Sequence, residues 1–265
     1  MAGTPATDAP GGEAVLFDAR ADGIAVITLN RPATRNCLDA DIRAGLFAAW
    51  DRFEHDAALR IAILTGAGDK AFCAGGDLKE MVATGMQVPP RDMYPLPYDT
   101  VELSKPTIAA VNGAAFAGGW MIAQACDLCV AATTARFAVT EVKVGRSSPW
   151  AAPLIHMIPQ RVMMELLLTG APIDARRAYE IGLVNRLAEP ERLLDTAIEL
   201  AREILSGAPL SVRAARETVM LATEMGRSAA LQAARAASER CYHSEDAQEG
   251  PAAFAARRAP VWKGR

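Results

Sequence analysis

The sequence predicts an α/β protein whose strands come first and whose helices come last. Three observations predict it. Short apolar runs bounded by turn signals fill the chain as far as about residue 139, apolar residues fall at helical spacing from Trp150 onward, and no obvious linker separates the halves. With 265 residues and 51% hydrophobic content, the chain can bury a large core.

The elements follow in order. Residues 1–13 have neither the basic start nor the apolar segment of a leader, and are expected to form a disordered tail. "AVLFDARADGIAVITLNRP" alternates about Asp22-Gly23, a β-hairpin that ends at Pro32. "LDADIRAGLFAAWDRFEHD" is a helix with Asp39 as N-cap and Ile42, Leu46, Ala49 and Phe53 on one face. "LRIAILTGAG" is a nearly all-apolar run, as in a strand covered on both faces. The turn-rich "GDKAFCAGGDLKEM" leads into a helix.

Residues 84–99 carry four prolines and no period, so an irregular binding segment is expected there. "PTIAAVNG" is a second buried strand, Gly118 opens a helix, and "DLCVAATTARFAV" supplies further strand. Helices then follow: "RVMMELLLTG" closed by Gly170, "DARRAYEIG" closed by Gly182, and amphipathic runs at 190–206, 209–223 and 228–241. The expected division is a core over 14–200 and a helical region over 201–265.

Charge and composition narrow the function. A net charge of -3 gives no reason to expect a nucleic-acid partner. No run reaches the roughly 18 apolar residues of a spanning helix, so a cytoplasmic protein without membrane contact is expected. Five scattered cysteines suit reduced thiols. Cys126 and Cys129 form a CxxC, but the three histidines are distant in sequence, and no metal site is expected.

Two loops share one build: an apolar strand followed by "CAGGD" (73–77) or "AGGW" (117–120), each feeding a helix. Glycine lets a ligand approach the backbone, and a helix's first turn offers unpaired N–H donors with partial positive charge. Two such turns face to face would make an oxyanion hole, although glycine pairs also serve tight strand-to-helix packing. Other glycine and nucleophile motifs fail on spacing: Ala71 breaks GxGxxG, and GxxxxGK[ST], GxSxG and HExxH are absent.

"NRPATRNCLDADI", "AFCAGGDLKEM", "KPTIAAVNGAAFAGGW", "ACDLCVAATTARFAVTEVKVG", "MELLLTGAPIDARRAYEIGLVNRL" and "EDAQEGPAAFAARRAPVWKGR" together resemble the crotonase superfamily, or enoyl-CoA hydratase/isomerase family, over about residues 14–263. The resemblance implies a spiral of ββα units with a C-terminal helical region that drives trimer formation, often as a dimer of trimers. It implies an acyl-CoA thioester as substrate, with no cofactor beyond that coenzyme A. The implied chemistry is stabilisation of a thioester enolate by two backbone amides, here Gly76 and Gly118.

Hydratases of this family use two glutamates. Met121 stands at the first of these positions and Glu141, in "VTEVKVG", at the second. The working label is an enoyl-CoA hydratase with Glu141 as its single acid/base. A Δ3,Δ2-enoyl-CoA isomerase, a hydrolase or C–C lyase of the same fold, and a non-catalytic acyl-CoA-binding protein stay open as alternatives. In "VGRSSPWAAP", Ser148, Pro149 and Trp150 stand where small residues are usual, and with Trp120 and Met121 they would line a bulky apolar acyl pocket. For coenzyme A the resemblance points to Arg35, Ala74, Asp77, Leu78 and Lys79, with Arg257 from this or a neighbouring subunit; Asp77 is also a natural helix cap.

Overall fold

The computed structural model describes residues 12–265. Of the expected tail, residues 1–11 lie outside the described residues. The hairpin forms as expected: β1 (Val15–Ala19) and β2 (Ile24–Leu29) pair antiparallel across a turn in which Gly23 has φ 82°. Helix α1 (Ala40–His55) is capped by Asp39, whose side chain accepts the Ile42 N–H at 2.8 Å, and it buries Ile42, Leu46, Ala49, Trp50 and Phe53.

The chain then alternates between two sheets. β3 (Ile61–Gly66) is followed by β4 (Ala71–Cys73) and α2 (Leu78–Thr84); β5 (Thr107–Val111) is followed by β6 (Ala114–Phe116) and α3 (Gly118–Gln124). β7 (Leu128–Ala132) and β8 (Arg136–Ala138) divide the "DLCVAATTARFAV" stretch between the sheets. After α4 (Gln160–Thr169), β9 (Ile173–Asp174), α5 (Ala175–Glu180) and β10 (Arg186–Ala188) complete the sheets in the order β1-β2-β3-β5-β7-β10 and β4-β6-β8-β9. All pairings are parallel except β1 with β2 and β8 with β9. Each turn of the chain therefore adds one strand to each sheet, which is the ββα spiral that the motifs imply.

Strands β3 and β5 are buried on both faces, and this explains their unbroken apolar sequences. One face is covered by α6 (Leu193–Leu205), which packs on β3, β5 and β7. The boundary expected at residue 200 thus falls inside a helix of the core. α7 (Pro209–Glu224) and α8 (Arg227–Tyr242) form an antiparallel pair, and α9 (Glu245–Ala255) follows. β4, β6, β9 and β10 have no counterpart among the sequence expectations, and α9 falls within the expected helical region without a signal of its own. The strands are of two or three residues, too short to show a period, and α9 carries Gly250 and Pro251 in its interior, which argue against a helix. It is held at its N-terminal end instead: Ser244 accepts the Ala247 N–H, and buried Asp246 accepts the N–H groups of Lys263 (2.7 Å) and Gly264 (2.8 Å). No helix among the described residues is long and apolar enough to cross a membrane.

One buried side chain ties the start of β4 to the segments around it. Asn36 is fully buried; its Oδ1 accepts the Arg31 N–H (2.9 Å), and its Nδ2 donates to the carbonyls of Ala67 and Ala71, both at 3.0 Å. Asn36→Ala strands these groups away from water. It is expected to lower unfolding stability by about 2–3 kcal/mol in a urea titration.

Candidate active site

The two glycine loops meet backbone to backbone. β4 and β6 are adjacent parallel strands, so the loops that leave their ends lie side by side. A Cβ placed on Gly75 would lie 3.0 Å from the Ala117 Cβ and 3.2 Å from the Gly118 nitrogen, and one on Gly118 would lie 3.4 Å from the Gly76 nitrogen. Gly75 has φ 102°, a conformation that glycine tolerates; Ala117 adopts φ 49° without that freedom. The Leu38 N–H bonds the Gly75 carbonyl at 2.8 Å and the Ala117 N–H bonds the Ala138 carbonyl at 2.9 Å, so each loop is pinned from outside. Among the described residues, neither the Gly76 nor the Gly118 N–H has a hydrogen-bond acceptor. Asp77 caps α2 by accepting the N–H groups of Lys79 (2.8 Å) and Glu80 (3.3 Å), and the Arg43 guanidinium grips Glu80 through two contacts of 2.8 Å. That grip holds the Glu80 carboxyl below the usual carboxylate range.

Glu141 opens a short 3-10 turn, Glu141–Val144, after β8. Its Oε1 accepts the Trp150 indole N–H at 2.8 Å, while Oε2 is buried and has no partner among the described residues. Burial pushes the carboxyl above its ordinary value. The indole N–H opposes this, as do the Ser148 hydroxyl and the residue's own N–H, which lie near without meeting hydrogen-bond geometry. A carboxyl whose folded pKa exceeds its unfolded value of about 4.3 favours the folded state below that value and loses the contribution as pH rises through the folded pKa. Glu141→Gln is therefore expected to raise the melting temperature at pH 7, with the gain shrinking towards pH 4.

Met121 stands one helical turn into α3 and is 4% exposed. It lines a cavity of about 820 Å³ between the spiral and α7, whose wall includes Leu96, Trp150, Met157, Val212 and Met220. Pro149 shares that wall, and so do residues 96–99 of the proline-rich segment. Trp120 does not: it is 1% exposed and stacks edge-on against Phe137, with ring centroids 5.7 Å apart. The residue after a helix-opening Gly-Gly points into the core, and the next residue reaches the cavity. Ser148 and Glu141 also lie off the cavity wall, with Trp150 between Glu141 and the cavity.

Sequence reading missed the polar residues of this wall, among them Tyr98, Gln124, Asp127 and Arg216. The Asp127 carboxylate accepts from the Arg216 Nε at 2.9 and 3.0 Å, from the Thr107 N–H at 2.8 Å and from the Tyr98 hydroxyl, while the Arg216 guanidinium stacks on the Tyr98 ring at 4.1 Å. Three distant segments contribute to this cluster, so no local spacing announces it. Gln124 donates to the Trp150 carbonyl at 2.6 Å and leaves its own Oε1 buried without a partner among the described residues. Its place one turn beyond Met121 on α3 was the available signal.

The candidates for coenzyme A fall into two groups. Arg35, in a left-handed turn, offers its carbonyl to the Ala74 N–H at 3.0 Å, which brings Arg35, Ala74, Asp77, Leu78 and Lys79 to one rim, with Arg35, Leu78 and Lys79 exposed. Arg257 follows α9, and no hydrogen bond or ion pair joins it to that rim. Cys126 and Cys129 are buried thiols, and burial pushes Cys129 up to about 12. No cluster of three or more potential metal ligands occurs among the described residues.

Spiral and paired loops together define a crotonase-type enzyme, and comparison with known proteins agrees. The family model for enoyl-CoA hydratase/isomerase matches residues 19–265. An (E)-benzylidenesuccinyl-CoA hydratase of Thauera aromatica is 42% identical over 253 residues, covering 91% of this chain and 96% of the relative. A carnitinyl-CoA dehydratase of Citrobacter koseri is 40% identical over 249 residues, covering 90% and 94%. The crystal structure of an enoyl-CoA hydratase from Mycobacterium marinum superposes with a TM-score of 0.88 at 40% identity, covering 96% of this chain and all of that one. The chain belongs to the enoyl-CoA hydratase/isomerase family of the crotonase superfamily and is an enzyme of the hydratase type.

Proposed function

We propose that this enzyme adds water across the 2,3 double bond of a 2-enoyl-CoA whose acyl group is bulky or ring-bearing. The observation that carries the reading is a pair of adjacent backbone donors, Gly76 and Gly118, without acceptors among the described residues, and a buried carboxylate, Glu141, three residues beyond the Ala138 carbonyl that takes the Ala117 N–H. The thioester oxygen accepts both N–H groups, so negative charge developing on it meets donors already in place. Glu141 takes a proton from water as its oxygen attacks C3, and returns a proton to C2 of the enolate. Its elevated pKa suits both roles.

The apolar cavity beside Met121, Pro149 and Trp150 supports an acyl group wider than a straight chain. The names of two relatives, which specify benzylidenesuccinyl and carnitinyl groups, support the same reading. Coenzyme A runs along the Arg35–Lys79 rim, with Arg35 and Lys79 as phosphate partners and Ala74, Asp77 and Leu78 beside the pantetheine. Exposed Leu231, Tyr242 and Phe254 support assembly into trimers or dimers of trimers through the C-terminal helices, which would carry Arg257 to a neighbour's site. Five free thiols support a cytoplasmic setting.

Met121 favours a second reading. With a thioether in place of the first glutamate, a proton shuttle between C2 and C4 needs only Glu141, and the enzyme would isomerise 3-enoyl-CoA. Offering both substrates and following the conjugated-thioester absorbance and product mass separates the two: hydration adds the mass of water to the 2-enoyl substrate, and isomerisation leaves the mass unchanged.

A further inference from the structure

We infer that Trp150 is a positioning residue for Glu141, itself held by Gln124, and that this pair presents the carboxylate to substrate through Oε2 alone. The inference rests on the catalytic reading of Glu141 given above. It goes further in naming what aims the group once the first glutamate is absent.

The geometry is a chain of two hydrogen bonds. Gln124 Nε2 donates to the Trp150 carbonyl at 2.6 Å, and the Trp150 indole N–H donates to Glu141 Oε1 at 2.8 Å. Gln124 lies on α3, the helix that opens at Gly118, so the aim of the carboxylate is referred to the same rigid element as one oxyanion donor. Trp150 is further confined as a cavity wall. An indole N–H has one proton and no acceptor capacity, so it occupies one carboxylate oxygen permanently and cannot exchange roles with it. Oε2 is buried and accepts no hydrogen bond from the described residues, so it is the carboxylate oxygen that a substrate entering the site would find without a partner. A hydroxyl in place of the indole would rotate between donor and acceptor and would not fix the choice.

The titratable groups on the elements around Glu141 are Lys143 on its own turn, Arg146 after it, His156 on the Pro149–His156 segment, and Arg161 and Glu165 on α4, which packs on the Glu141 turn. None of them enters the balance at Glu141, which is set by burial against neutral donors. Arg146 is turned away, donating to the carbonyls of Gln87 (2.9 Å) and Met86 (2.7 Å). Removing one neutral donor is therefore readable without compensation from a nearby charge.

Trp150→Phe keeps the ring against the cavity and deletes the N–H; Gln124→Met keeps the volume and releases the Trp150 carbonyl. The Glu141 carboxyl is titrated by NMR in protein carrying carbon-13-labelled glutamate, its signal assigned by loss in Glu141→Gln, and kcat and KM are measured on a 2-enoyl-CoA. Trp150→Phe is expected to move the titration to higher pH and to lower kcat about ten- to a hundredfold with little change in KM. Gln124→Met moves both in the same direction by less. An unmoved titration in both variants, or a loss confined to KM, overturns the inference and leaves Trp150 a pocket wall. Should Trp150→Phe fail to fold, Gln124→Met decides. If wild-type protein hydrates no enoyl-CoA, the hydratase reading fails while the titration still decides the positioning.

Discussion

Glu141→Gln is expected to lower kcat by about two to four orders of magnitude while leaving KM within a few fold. On the proposed function the loss is this large because Met121 stands where the family's hydratases carry their first glutamate. The amide keeps the shape and can still accept the Trp150 N–H through its oxygen, so packing around the turn is preserved. It cannot accept a proton from water at neutral pH. Steady-state kinetics on a 2-enoyl-CoA, with water incorporation followed by mass, measures the effect. A variant that retains most of its kcat would remove Glu141 from the chemistry and return weight to coenzyme-A-ester binding without turnover. The same substitution should stabilise the fold at pH 7, so lost activity with a raised melting temperature separates a chemical defect from a folding one.

The largest stability effect is expected at Gly119. A Cβ there would lie 2.0 Å from the Cys73 carbonyl oxygen and 2.7 Å from its carbon, both main-chain atoms of β4. Neither can rotate away, so Gly119→Ala must push α3 off the second sheet. The cost is expected above the usual ~1–3 kcal/mol of an overpacked core, seen as a lowered midpoint in urea or as failure to accumulate folded protein. Two substitutions calibrate the result. At Gly76 the added methyl meets the flexible end of Met81 at 2.6 Å, and at Gly226 it meets nothing within 4 Å. Both alanine variants should fold. Equal stability of all three would mean that α3 can shift freely against β4, and the fixed geometry of the paired donors would be lost with it.

The spiral's first sheet was legible because its strands are covered on both faces and their sequences say so: "IAILTG" and "TIAAV" are unbroken apolar runs. Capping also carried clear signals, at Asp39 and at Gly170, whose φ of 58° ends α4. The second sheet was silent because three residues cannot express an alternation, although this sheet positions the site. Of the proposed site, the two glycine loops stand out by residue type and Glu141 by its place in the family resemblance. Trp120 was misplaced because the loop's rotation decides which of two adjacent side chains faces the cavity. Tyr98, Asp127 and Arg216 come together only through tertiary structure. Trp150 could be named as a wall, but its hydrogen bond to Glu141 is a matter of ring orientation that the letters do not encode.

Strands β4 and β6 are neighbours in one parallel ladder, and neighbouring strands stand about 4.8 Å apart in every sheet. The Gly76 and Gly118 donors stand three and two residues beyond the ends of these strands, so the gap between them starts from the polypeptide's own spacing. Everything that decides which acyl group is welcome hangs from other elements. On the proposed function, Met121, Trp150 or the 96–99 segment can therefore change, and the acyl group with them, while the spacing set by the two strands stays the same.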